Sequence, residues 1–177
     1  MVVHDAIATV APSAEAKHIR VETTFDPQIG PVSGDPDRFR QIVWNLLSNA
    51  VKFTPKQGGI QVRLERVHSS VELVVSDTGI GIVPDFLPHI FERFRQAESE
   101  PARQHGGLGL GLAIVRNLVE LHGGLYPPRV EGKDKARRFV CACRCGSCTP
   151  TGSRKDDACI HDRVGTLSSR RSPTCRA

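Results

Sequence analysis

The run Gly106-Gly107-Leu108-Gly109-Leu110-Gly111-Leu112 constrains this chain more than any other stretch. Its glycines can adopt positive φ and let the backbone lie against a ligand with no Cβ between them. The run opens into an amphipathic stretch. A helix starting near Leu110 would aim its unpaired N–H groups, and the positive end of its dipole, back at the glycines, which suits an anion such as phosphate. Taken alone, the run also reads as a flexible surface loop. Two further features, an asparagine-bearing helix and an Asp-x-Gly-x-Gly turn, weigh against the plainer reading.

The helix is expected to start at Asp35, an N-cap residue followed by Pro36 at the first helical position, and to run to about Phe53, ahead of Pro55. Phe39, Ile42, Val43, Leu46, Leu47, Ala50 and Val51 form one broad apolar side at 3.6-residue spacing. Asn45, Asn49 and Lys52 fall on the opposite side. A solvated polar face is one reading of that row. Asn, however, is a poor helix former and has no local reason to recur mid-helix. Neutral oxygens for Mg²⁺ and a cation for phosphate explain the choice better.

Around this helix the sequence predicts a helix over 5–17, kinked at Pro12, and a strand over 19–25. Two strands follow, over 59–66 and 70–76. The second runs into Asp77-Thr78-Gly79-Ile80-Gly81-Ile82. A carboxylate at a strand end before a tight glycine turn can receive an amino group while the backbone wraps a flat ring; an ordinary Asp-Gly turn is the simpler reading. A short helix is expected over 84–94, with Phe91 and Phe94 packing inward. The polar stretch 96–105 is expected to be mobile. The helix after the glycine run, over 110–122, should turn Ile114, Val115, Leu118, Val119 and Leu121 inward, with Gly123 as its C-cap.

Charge divides the chain near Gly124. Residues 1–124 carry 12 Lys and Arg against 14 Asp and Glu, whereas 125–177 carry 12 against 5 and hold all six cysteines. The net charge of +5 therefore reflects the tail. With no apolar run near the ~18 residues of a membrane span and no signal-peptide pattern, a cytoplasmic location is expected.

Together the motifs resemble the ATP-binding catalytic domain of sensor histidine kinases, a branch of the Bergerat-fold ATPases, over roughly residues 5–124. The resemblance is carried by Asn45-Leu46-Leu47-Ser48-Asn49-Ala50-Val51-Lys52-Phe53-Thr54-Pro55, by Asp77 to Ile82, by Phe91-Glu92-Arg93-Phe94, and by His105 through Leu112. It implies a two-layer α/β sandwich, helices on one face of a mixed sheet, with ATP held under a lid. It also implies that Asn49, assisted by Asn45, binds Mg²⁺ and that Lys52 contacts phosphate. Asp77 would take the adenine amino group over a floor shaped by Gly79 and Gly81. Gly107, Leu108, Gly109, Leu110, Gly111 and Leu112 would form the phosphate-side hinge, with Phe91 and Phe94 anchoring the lid.

Hydrolytic relatives place a Glu one turn before the Mg-binding Asn to activate water; Asn45 cannot act as that base. The resemblance thus favours phosphoryl transfer to a histidine, on a dimerisation domain expected to be absent from this chain, and a response regulator beyond it. His4 lacks the sequence surroundings of an acceptor. A stand-alone serine kinase of the anti-sigma-factor type is the alternative enzyme reading.

The resemblance stops after Gly124. The family ends with a strand resembling Gly-Ala-Thr-Phe-x-Val-Arg-Leu-Pro, whose Thr supports the adenine-binding Asp. Back-translation of residues 132–144 with chosen synonymous codons, shifted by one base, reads Gly-Gln-Gly-Gln-Gly-Ala-Thr-Phe-Cys-Val-Arg-Leu-Pro. A frameshift is therefore expected, with the closing strand lost, a sheet edge open, and 125–177 forming a disordered basic tail. On that reading Cys141-x-Cys143-x-Cys145-x-x-Cys148 is not a selected zinc site, although zinc or nucleic-acid binding by the tail stands as the non-enzyme alternative.

Overall fold

The computed structural model describes residues 2–29, 32, 34–68, 70–96, 108–123, 129–131 and 137–144. The elements run α1 (Val2–Ala16), β1 (Arg20–Phe25), α2 (Pro36–Phe53), β2 (Gly59–Val67), β3 (Ser70–Asp77), a 3₁₀ turn (Pro84–His89), α3 (Gly111–Leu121), β4 (Arg129–Glu131) and β5 (Arg137–Arg144). The strands form one mixed sheet in the order β1-β2-β3-β5-β4. Only β1 and β2 are parallel, with α2 in the crossover between them; the other pairs are antiparallel.

Each helix buries one stripe. Val3, Ala6, Val10 and Ala14 of α1 meet Ile42, Val43, Leu46, Leu47, Ala50 and Val51 of α2, while Val115 and Val119 of α3 join the same core. The sheet contributes alternate residues, Ile60 and Val62, Leu73 and Val75, Phe139 and Cys141, as period-2 strands require. This is the expected two-layer α/β sandwich.

The start of α2 follows its sequence closely. Asp35 Oδ1 accepts from the N–H groups of Asp37 (2.9 Å) and Arg38 (3.3 Å), satisfying two orphan donors of the first turn. The Asp35 N–H donates to His122 Nε2 at 3.3 Å, and His122 Nδ1 lies 2.7 Å from Leu118 O. One imidazole thereby ties the N-terminus of α2 to the C-terminus of α3. At the end of α3, Gly123 takes φ +63 and donates to Glu120 O, the C-cap geometry expected of it.

Three expectations are corrected. Phe94 does not pack inward: it sits at φ +62 and is 72% exposed, whereas Phe91 does lie against the core. Leu121 is likewise exposed, because it lies at the solvent-facing end of α3. The third correction is the closing strand, which is present. β5 pairs with β3 along its whole length, from Ser70↔Arg144 to Asp77↔Arg137. The physical reason is that residues 137–144 keep a strand-like pattern in this reading frame. Phe139 and Cys141 turn toward the helices, and cysteine serves as a small apolar residue there. The second edge of β3 is consequently paired rather than open, and β4 and β5 extend the sheet past Gly124. The rest of the proposed tail, the stretch 97–107 and Gly107 with it lie outside the described residues.

Candidate functional site

A cavity of about 570 Å³ opens between α2, the segment after β3, and the start of α3. Among the residues named from sequence, Asn45, Asn49, Lys52, Gly81, Leu108, Gly109, Leu110, Gly111 and Leu112 line it. Asp77, Gly79, Phe91 and Phe94 do not. The arrangement brings the polar row of α2 face to face with the N-terminus of α3, so amides, an ammonium and helix-end N–H groups converge on one space.

The asparagines are held in defined poses. Asn45 is only 6% exposed, and its Nδ2 donates to Gln41 O at 2.9 Å, which leaves Oδ1 directed away from its own helix. Opposite it, a Cβ built on Gly111 would lie 3.3 Å from Asn45 Oδ1 and 3.9 Å from Asn49 Oδ1. Glycine at position 111 thus keeps clear a cradle beside two amide oxygens. Hard cations such as Mg²⁺ prefer neutral and anionic oxygens, and two protein oxygens leave the remaining positions to phosphate and water. The residues fit that ion.

Lys52 borders the same space, with Nζ 4.9 Å from the centre of the Phe53 ring. Partial burial lowers its pKa below the ordinary lysine value, so its cation is less hydrated and readier to meet a phosphate. On the facing side Gly109 takes φ +68, and its O accepts from the Phe94 N–H at 3.1 Å. A Cβ at Gly109 would stand 2.7 Å from Arg95 O, so the two backbones approach only because residue 109 has no side chain.

Asp77 ends β3 at 2% exposure, with Oδ1 accepting from the Gly79 N–H at 2.8 Å. The carboxylate therefore fixes the turn that carries Ile80, Gly81 and Ile82 into the cavity wall. Its residue also borders a second, more polar depression with His18, Arg20 and Gln57.

Sequence reasoning missed part of the lining: Trp44, Ile80, Ile82, Phe86, Arg95 and Phe139. Trp44 precedes Asn45 directly, and an aromatic beside a polar helical row was the available signal. Arg95 donates through Nε to Glu92 Oε2 at 3.0 Å, and Glu92 in turn meets His89 Nδ1 at 2.8 Å. Bonding to His89, then to Arg95, lowers the pKa of the Glu92 carboxyl. Phe139 comes from β5 and could not be placed while that strand was expected to be missing.

The residues 34–144 match the family of histidine kinase-, DNA gyrase B-, and HSP90-like ATPases. The chain belongs to this family. Its relatives within it are sensor histidine kinases. The circadian input-output histidine kinase CikA of Synechococcus elongatus is 52% identical over 106 residues, covering 60% of this chain and 14% of CikA. The mycobacterial sensor histidine kinase MprB shares the fold at a TM-score of 0.68 and 31% identity, over 81% of this chain and 91% of that one. ShkA, whose full-length structure holds AMPPNP, gives a TM-score of 0.68 at 30% identity, over 80% of this chain and 29% of its own. The chain spans between 11% and 22% of the length of the curated relatives it matches. Among the described residues, no helix is long and apolar enough to cross a membrane.

Proposed function

We propose that this histidine-kinase-type ATPase domain binds ATP with Mg²⁺ and presents the γ-phosphate to a histidine on a separate dimerisation domain. The observation that carries the proposal is the cavity wall itself. Asn45, Asn49, Lys52 and Arg95 line it, and none of the described lining residues is a carboxylate. None of those described residues offers a carboxylate to deprotonate water, whereas a histidine acceptor brings its own nucleophilic nitrogen.

In this reading Asn49 and Asn45 hold Mg²⁺ by their amide oxygens. The bound ion would neutralise phosphate charge and orient the chain of phosphates. Lys52 meets a phosphate oxygen, and the first N–H groups of α3, at Gly111 and Leu112, face the same anion. Leu108, Gly109 and Leu110, with Gly107 before them, form the hinge on the phosphate side. Asp77 receives the adenine amino group, Gly79 and Gly81 shape the floor, and Phe91 anchors the lid. The acceptor imidazole attacks the γ-phosphorus, the bond from that phosphorus to the β–γ bridging oxygen breaks, ADP leaves, and the imidazole proton passes to solvent. The chain's own part is positioning and charge neutralisation.

The phosphohistidine would then serve a response regulator, and we assign the chain to the cytoplasm, where ATP is supplied. The test is transfer from Mg²⁺·[γ-³²P]ATP to a purified histidine-bearing dimerisation domain. Acid-labile, alkali-stable label on that domain supports the reading. Acid-stable label on a serine would support an anti-sigma-factor type of kinase instead. Phosphate released at the same rate without any acceptor would overturn both.

A further inference from the structure

α2 needs its last turn held, because the final carbonyls of a helix have no partner within it. Here every one of them is taken, two of the four by one distant side chain that also holds the carbonyl of the cap residue Thr54. Ala50 O accepts from the Thr54 N–H at 3.0 Å. Lys17 Nζ then donates to Val51 O at 2.8 Å, Lys52 O at 2.9 Å and Thr54 O at 3.3 Å. The remaining carbonyl, Phe53 O, accepts from the Ile80 N–H at 3.3 Å. The Lys17 carbonyl itself takes the Gln57 N–H at 3.0 Å, so the turn after α2 is tied back to the same residue.

The geometry is selective for what it holds. Lys52 and Phe53, whose carbonyls lie in this set, project side chains into the cavity, and Ile80 forms part of the facing wall. Lys17 is not among the lining residues. An ammonium using all three of its protons on three carbonyls at a helix C-terminus also complements the negative end of the helix dipole.

We propose that Lys17 is a positioning residue of the nucleotide cavity: its ammonium clamps the last turn of α2 so that Lys52, Phe53 and the turn carrying Ile80 keep one fixed spacing. The clamp stands on the bonds above; its effect on nucleotide rests on the functional reading of the previous subsection. Lys17 acts through the helix end and touches no ligand. Its removal should loosen one end of the cavity while the sheet, α1 and α3 stay folded.

The test compares wild type with Lys17→Met, which keeps length and apolar bulk, and Lys17→Arg, which keeps the charge. Two readouts are taken well below the melting temperature of each variant. The first is amide hydrogen exchange at Thr54 and Ile80, with Ile114 in α3 as the internal control. The second is the affinity for Mg²⁺·AMPPNP. Lys17→Met should speed exchange at Thr54 and Ile80 about tenfold or more, leave Ile114 at the wild-type rate, and weaken nucleotide binding about tenfold. Lys17→Arg should recover at least part of both. Should Lys17→Met fail to fold, Lys17→Gln, which retains a donor, carries the same comparison.

Unchanged exchange at Thr54 and Ile80 overturns the clamp. Faster exchange there with wild-type affinity shows a merely structural residue and overturns the positioning role. A wild-type chain that binds no nucleotide overturns the functional reading and the affinity arm with it, while the exchange result still decides the clamp.

Discussion

Gly111 sets its bare Cα against the side chain of Asn45, so close that a Cβ on it would lie 3.3 Å from Asn45 Oδ1. The same Cβ would lie 3.4 Å from Asn49 Nδ2. Gly111→Ala should therefore crowd both amides without disturbing α3, where alanine is the better helix former by up to about 1 kcal/mol. The expected result is an unliganded melting temperature equal to or above wild type, with affinity for Mg²⁺·AMPPNP down about tenfold through misplaced ligating groups. Thermal melts with and without the nucleotide check both halves. A ligand-induced shift as large as in wild type would show that the cradle is not used.

Lys52 links affinity to pH. Burial lowers its pKa from the ordinary 10.5, so its charged form is disfavoured by folding. The sign follows: the cation opposes folding at neutral pH, and that opposition fades as pH rises through the folded-state pKa. Phosphate reverses the preference, since it favours the ammonium. Nucleotide affinity should thus fall at an alkaline pH below the ordinary lysine range. Lys52→Met should weaken binding at neutral pH by about ten- to a hundredfold, the loss of a charge-assisted bond, and abolish that slope. Isothermal titration across the alkaline range measures both.

Asp77→Asn separates the turn from the base. The amide oxygen of asparagine can still accept from the Gly79 N–H, which Asp77 Oδ1 now takes at 2.8 Å, so the fold should survive. A buried acceptor for the purine amino group is weakened, however, at a cost of about ten- to a hundredfold in ATP affinity. Inosine triphosphate, which lacks that amino group, should lose much less. The ratio of the two affinities is the measurement, and an unchanged ratio would remove Asp77 from adenine recognition.

How much of this was readable from the chain depends on where each constraint is stored. α2 was legible from Asp35 to Phe53 because its cap, its first-turn proline and its apolar stripe are all local. That Asn45 and Gly111 face each other was not legible in the sequence, since the two meet through packing of α2 on α3. Phe94 and Leu121 depart from expectation for a common reason: apolar character alone does not bring burial, and one has φ +62 while the other sits at a helix end facing solvent. Lys17 left no pattern at all, because its three acceptors are backbone oxygens 34 to 37 residues away. A carbonyl carries no sequence identity.

Asp35 gives a pH effect of the opposite kind. Its carboxylate accepts from the N–H groups of Arg38 and Asp37, which lower its pKa below 3.8. A depressed carboxyl pKa contributes stability that is present above the unfolded-state value and lost as pH falls through the folded-state value. Asp35→Ala should therefore lower the melting temperature at neutral pH, and the gap from wild type should close in the acid range. A gap that stays constant down to the lowest pH at which the chain remains folded would show that capping there does not depend on charge.

β5 is the element in which sequence and structure part most clearly, and it yields the sharpest stability test. The Arg- and Cys-rich wording after residue 136 obscured a strand whose inward residues are Phe139 and Cys141. With the codons chosen for the back-translation, the neighbouring reading frame also encodes a phenylalanine at this point, so the largest inward side chain of the strand would be kept while its neighbours change. Phe139 is 1% exposed, joins the core that α2 and α3 share, and lines the cavity. Phe139→Ala should cost about 3–5 kcal/mol by the removal of a buried aromatic and the void it leaves. Against a total stability of about 5–15 kcal/mol, that is a large share. Urea unfolding should show a much lower midpoint, and nucleotide affinity should fall with it because one cavity wall is lost. Phe139→Leu should recover most of the stability and less of the binding, since it refills volume without the flat ring. An unfolding free energy within about 1 kcal/mol of wild type for Phe139→Ala would instead mean that β5 adds little to the fold, and that the core closes without it.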